Sequence, residues 1–244
     1  MKLPTVLLVL LSLGATASAQ HSPAVARGNE NYLAGRIPEA VEQYQTAVRN
    51  GEANAPLFHN LGNASYRAGD LGGAILNYER ALALEPGNPE VATNLHVARD
   101  QARALQLKES ALDQVLRRLQ PGYYAVAGAV AFWVAAFAIV ALWRAQRRSA
   151  ALVTLLAFSV LLLAASVAAA YRLETGPRGS ALAVVTGKNV EARLATADTS
   201  GTVLVLPAGS EVQLLSTRGE WSYAALPNGS RGWIPAASAE RVRL

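Results

Sequence analysis

The stretch "NLGNASYRAGDLGGAILNYERALALEPGNPE", residues 60–90, reads as a helix pair, a Pro-Gly-Asn stop and the start of another helix. Small residues (Gly62, Ala64, Gly69, Ala74, Ala81) recur in it among larger ones. Self-comparison supplies the reason. Gly28, Gly35, Ala40, Tyr44 and Ala47 return as Gly62, Gly69, Ala74, Tyr78 and Ala81, each 34 residues later. Asn29 returns as Asn63, and Val41 as Ile75. A fixed period of this length marks stacked helix pairs. The small residues are expected to let the two helices of a repeat approach closely, with Tyr78 filling the space between neighbouring repeats. Their role is to hold the fold, not to bind.

The period and the run from Leu61-Gly62 to Pro86 resemble the tetratricopeptide repeat. Copies are expected at 21–54 and 55–88. A third begins at Pro89 with Asn94 and Leu95 in place, but His96 and Arg103 stand where glycines are usual. Residues 20–98 are therefore expected to form an all-α solenoid of two repeats closed by one capping helix. The resemblance implies a concave groove lined by His59, Asn60, Asn63, Tyr66 and Arg67, with Asn29 and Tyr32 from the first copy and Asn94 from the third. An asparagine amide both donates and accepts, so it can hold the backbone of an extended peptide. It can equally satisfy neighbouring loops, and both readings stand. The subtype that clamps a free carboxylate needs cations where this chain has Val25 and Glu90, so capture of a C-terminus is not expected. Two and a half repeats suit a short segment or a second copy of the stack.

Three apolar runs surround or follow the repeats. Residues 3–13, preceded by Lys2 and followed by Ala17-Ser18-Ala19, have the layout of a secretory signal peptide, with cleavage expected after Ala19. Residues 123–143 and 150–171 contain no charged side chain. As helices they would be about 31 and 33 Å long, enough to cross a hydrocarbon core of about 30 Å. Tyr123, Tyr124, Trp143 and Tyr171 stand at their ends, where interfacial aromatics belong. The link 144–149 carries Arg144, Arg147 and Arg148 and is read as a cytoplasmic loop. A signal peptide followed by two crossings places both flanking parts outside the cytoplasm, in the bacterial inner membrane.

Residues 99–122 are expected to continue as an amphipathic linker helix on the spacing of Leu105, Leu112, Leu116 and Leu119. After a turn-rich linker at 172–180, the period changes to two, and five or six short strands are expected within 181–244. Asn228-Gly229 marks a hairpin. Val190-Glu191-Ala192-Arg193, Leu206-Pro207-Ala208-Gly209 and the closing "NGSRGWIP" resemble the bacterial SH3-like domain, which implies a small all-β barrel. Trp233 and Val212 are expected in its core. Trp221 and Tyr223 are its candidate surface aromatics, although packing is the default role of the tryptophans.

Charge and composition narrow the function. Residues 20–122 carry net −1 and residues 172–244 net +2, so neither has the basic stripe of a nucleic-acid binder. The chain has no cysteine, which excludes disulfides and thiolate chemistry. Its histidines, His21, His59 and His96, form no metal-spaced pair, and no nucleophile or phosphate-loop motif is present. No cofactor or metal is expected, and the chain reads as non-enzymatic. The order of signal peptide, repeats, membrane hairpin and SH3-like domain resembles the BatE type of Bat aerotolerance proteins. That resemblance implies membrane-anchored von Willebrand factor A-domain partners linked to a MoxR-type ATPase, around a periplasmic scaffold. The alternative is an adaptor that holds peptidoglycan with the barrel and recruits a wall enzyme with the repeats.

Overall fold

The computed structural model describes residues 22–119, 121–145 and 149–243. The signal peptide and loop residues Arg147 and Arg148 lie outside them. The chain forms two compact units, one up to Glu52 and one from Ala53 onward.

In the first unit, α1 (Pro23–Leu33) and α2 (Ile37–Arg49) pack as a helix pair. Ser22 caps α1 by accepting from the Val25 N–H, and Pro23 follows at the first turn, where its missing donor costs nothing. Gly35, at φ 75°, makes the turn between the helices in a conformation glycine adopts freely. Tyr44 lies flat on Gly28: a Cβ there would come within 2.6 Å of the ring. The Tyr44 hydroxyl donates to Asn29 Oδ1 at 2.7 Å. Burial, with Tyr32 adding, pushes its pKa up to about 12.

The second unit opens with the same device 34 residues on. Helix α3 (Ala55–Arg67) is capped by Asn54 and α4 (Leu71–Leu84) by Asp70. A Cβ on Gly62 would meet the Tyr78 ring at 2.6 Å, and the Tyr78 hydroxyl donates to Asn63 Oδ1 at 2.8 Å. The first glycine of each repeat thus seats the tyrosine of its own repeat, so the ring fills the space within a helix pair and not, as expected, the space between neighbouring repeats. Helix α5 (Pro89–Ala102), capped by Asn88, packs on α4.

The expected linker helix over 99–122 does not form. Helix α5 ends at Ala102, Arg103 turns left-handed at φ 53°, and α6 (Ala111–Leu116) is short. Between them the chain runs outside any helix along the C-terminal sheet. Leu105 packs against the sheet's apolar core, Glu211 donates its N–H to Leu105 O at 2.8 Å, and Leu107 N–H reaches Glu211 Oε2 at 3.1 Å. Tertiary pairing overrides a leucine spacing that local propensity alone would have read as helix. Leu112 and Leu119 stay exposed.

Helices α7 (Pro121–Arg144) and α8 (Ala150–Thr175) are long and apolar enough to cross a membrane. They pack through small residues. Ala131, Ala135, Ala138, Ser159 and Ser166 are buried, while Phe132, Trp133 and Phe137 point outward. Ser159 returns its hydroxyl proton to the Leu155 carbonyl at 2.8 Å, which satisfies it inside an apolar seam. The last turn of α8 extends past the expected limit at 171, and its Arg172 pairs with the buried Asp113 of α6 at 2.9 Å.

The C-terminal part is a seven-stranded antiparallel sheet in the order β3-β2-β6-β5-β4-β1-β7. The strands are β1 (Leu182–Val185), β2 (Val190–Arg193), β3 (Thr202–Leu206), β4 (Glu211–Arg218), β5 (Trp221–Ala225), β6 (Arg231–Pro235) and β7 (Ala239–Arg241). Asn228-Gly229 turns β5 into β6 as expected, with Gly229 at φ 84° and Asn228 Oδ1 accepting from the Ser230 N–H. Strand β7, three residues long, escapes sequence reading because its two exposed residues, Glu240 and Arg241, are charged. The core holds Val185, Leu206, Val212, Leu226 and Ile234. Trp233 is not in it, against expectation. In β6 the inward positions are Gly232 and Ile234, so the strand's period of two turns Trp233 outward.

Candidate interaction surfaces

Of the residues expected to line the repeat groove, Asn29 and Tyr32 belong to the first unit, where Asn29 holds Tyr44. The others belong to the second. His59, Asn63 and Asn94 meet there in one hydrogen-bonded cluster. Asn63 Nδ2 lies 3.2 Å from His59 Nε2, Asn94 Nδ2 lies 3.3 Å from the same nitrogen, and Asn94 Nδ2 also donates to Asn63 Oδ1 at 3.2 Å. With the Tyr78 hydroxyl on its carbonyl, Asn63 spends its amide inside the repeat. Two amide donors converge on His59 Nε2, an arrangement that suits an imidazole accepting there and carrying its proton on Nδ1. Glu90 stands 3.7 Å from that nitrogen. Tyr66 donates to Gln101 at 2.6 Å, which ties α3 to α5. Asn60 and Tyr66 are half-buried and Arg67 is exposed. The structure thus brings His59, Asn63 and Asn94 together in one network, while Asn60, Tyr66 and Arg67 lie on the same helix α3 outside it.

A second surface lies on the sheet. Tyr223 and Trp233 pair across β5 and β6 with ring centroids 5.0 Å apart, and Trp221 stands two residues along, opposite Pro235. All three are half-buried. Arg193 pairs with Trp233 from β2. Trp221 also borders a cavity of about 480 Å³ shared with Asp198, Glu220 and Pro235. Sequence reasoning found Trp221 and Tyr223 but assigned Trp233 to the core. The strict alternation of "RGWIP" around buried Gly232 and Ile234 is the signal that would have found it.

A third feature escaped the sequence because four separate segments build it. Glu211 of β4, fully buried, receives Arg99 of α5 and lies 3.4 Å from Arg178, which follows α8. The same two arginines hold Glu79 of α4, Arg178 at 2.8 Å. Burial pushes the Glu211 carboxyl above its ordinary range, although Arg178, Arg99 and the Leu107 N–H oppose the shift. Burial also works against the charge on Arg178, but Glu79, Glu211 and Glu109 outweigh it and raise its pKa. Nearby, Arg80 of α4 reaches Glu240 at 3.2 Å and the Arg241 carbonyl at 3.0 Å, beside the Phe58 ring. The sheet is thus locked to the second repeat by buried charge as well as by apolar packing.

Among the described residues, no three His, Asp or Glu side chains are grouped to hold a metal ion. Residues 55–88 match the family model described as the tetratricopeptide repeat. No curated protein matches the chain.

Proposed function

We propose that the chain is a non-catalytic, membrane-anchored scaffold that recruits protein partners through its repeats, on the periplasmic side of a bacterial inner membrane. The observation that carries this reading is the tetratricopeptide repeat at 55–88, which packs in one unit with two helices of membrane-crossing length. Repeats of this kind mediate protein–protein contacts. The sidedness draws support from the Asp113–Arg172 pair, which ties the chain just before α7 to the end of α8. The parts before and after the hairpin then share one side. The amino-terminal signal selects the outer one.

Within that reading the complex is of the Bat aerotolerance type, with membrane-anchored von Willebrand factor A-domain proteins as partners. Crosslinking the tagged full chain in its host tests this, with an Asn60→Ala, Arg67→Ala variant alongside. Recovery of A-domain proteins, lost in the variant, is the expected result. Recovery of wall enzymes or peptidoglycan fragments by both proteins alike would instead support the second reading. There the protein is a wall-binding adaptor, favoured by the aromatic row of Trp221, Tyr223 and Trp233.

A further inference from the structure

Where the second repeat, the end of α8 and the last strand meet, a cavity of about 470 Å³ opens. Its lining divides by chemistry. Leu173, Leu182 and Val242 are buried apolar walls, and Leu119, on the chain leading into α7, is an exposed one. Four guanidiniums border the same space, those of Arg117, Arg118, Arg178 and Arg243, against the single carboxylate of Glu79.

Most of this charge is partnered. Glu79 faces Arg178 and Arg99, Arg243 meets Glu174 at 2.6 Å, and Arg117 stands 3.0 Å from Glu109. That last pair is poorly aligned, and neither Arg117 Nε nor Glu109 Oε1 makes a hydrogen bond. Arg118 is exposed and has no ion pair among the described residues. With Arg99 and the paired Glu79, Glu109, Glu174 and Glu211 included, the cluster keeps one positive charge in excess. Burial lowers the Arg117 pKa, Glu109 opposes this, and the crowding cations Arg178 and Arg243 add to it. A second anion would relieve that crowding.

Position adds the remaining argument. The uncharged run 150–171 covers about 33 Å as helix, so Leu173 and the cavity fall at headgroup depth if α8 spans the bilayer. An occupant must present an oxyanion to guanidiniums and an apolar body to leucines.

We propose that this cavity binds the phosphate of an anionic phospholipid headgroup, with the adjoining acyl segment against Leu119 and Leu173. The assignment rests on the membrane-spanning reading of α7 and α8. Guanidiniums suit phosphate because their planar donors can bind it in pairs, and each exposed arginine near an anionic lipid surface strengthens attachment severalfold.

The test uses the full chain in detergent and native mass spectrometry. Phosphatidylglycerol and phosphatidylcholine of identical acyl chains are supplied as probes, with inorganic phosphate as a third. Phosphatidylglycerol should be retained over phosphatidylcholine. An Arg118→Gln, Arg243→Gln variant should lose about tenfold of that preference, whereas Arg218→Gln, Arg231→Gln, away from the cavity, should keep it. Equal retention of both lipids, or equal loss in both variants, would overturn the proposal. Inorganic phosphate bound with the same arginine dependence, and no lipid preference, would overturn the lipid source and leave a site for soluble oxyanions. Resistance of the chain to carbonate extraction from membranes checks the spanning reading separately.

Discussion

The hydroxyl of Tyr78 donates to Asn63 Oδ1 at 2.8 Å while its ring covers the bare Cα of Gly62. One side chain therefore fixes both the spacing of two helices and the orientation of an amide that also meets His59 and Asn94. The same relation holds between Tyr44, Asn29 and Gly28 in the other unit.

Gly62→Ala should therefore overpack the second repeat. The added methyl has no room unless the Tyr78 ring moves, and the expected cost is about 1–3 kcal/mol. Urea unfolding of the full chain followed by circular dichroism reads it. Tyr78→Phe keeps the ring and removes only the hydrogen bond, so it should cost less, about 1 kcal/mol. Equal effects of the two variants would mean that the close approach is not the sensitive contact.

Trp233→Ala and Ile234→Ala, adjacent in β6, should separate binding from folding. Ile234 is fully buried, so its truncation should cost about 2–5 kcal/mol. Trp233 faces outward beside Tyr223, so its loss should leave the melting temperature closer to wild type and weaken any binding of isolated peptidoglycan. The reverse ranking in a thermal melt would return Trp233 to the core.

Two buried carboxylates should show opposite acid responses. The Glu211 pKa is raised from its ordinary 4.5, so the folded state takes up protons more readily than the unfolded one. Its contribution to stability is full below 4.5 and is lost as pH rises through the folded value. Relative to wild type, Glu211→Gln should gain stability as pH is raised across that window. The Asp113 pKa is lowered from 3.8, first by the hydrogen bond from Arg172. Its contribution is present above that value and is lost as pH falls through the folded one. Asp113→Asn should therefore be penalised most near neutrality. Chemical denaturation of both variants at stepped pH checks the two signs.

The cysteine-free chain permits a direct reading of sidedness. Single cysteines at Lys108 and Lys188 should react with a membrane-impermeant maleimide in intact spheroplasts, and one at Ala145 should react only after lysis. Labelling of Ala145→Cys alone in intact cells would invert the proposed topology.

Much of this fold is legible in the sequence because its signals are local. The 34-residue period, two long uncharged runs and a switch to alternation each declare an element without reference to anything distant. Leu105 shows where that fails. Its spacing with Leu112, Leu116 and Leu119 suits a helix, yet strand β4, far along the chain, claims it. Trp233 fails differently, since its alternation was readable but its size argued for the core. The Glu79–Arg99–Arg178–Glu211 cluster gives no sequence signal at all, because no two of its members are close along the chain. Asn63 and Asn94 stand out in the sequence as groove candidates, but only the distances show that their amides serve each other.

The hydrogen bond from Leu107 to Glu211 spans 104 residues. During synthesis that interval includes both long apolar helices and takes on the order of ten seconds. Throughout it, the side of α4 that will meet the sheet, with Gly72, Ile75 and Arg80, has nothing to cover it. The second repeat thus leaves the ribosome early but is finished late. A nascent chain halted before residue 182 would present an apolar and cationic helix face to any chaperone that meets it before β1 is made.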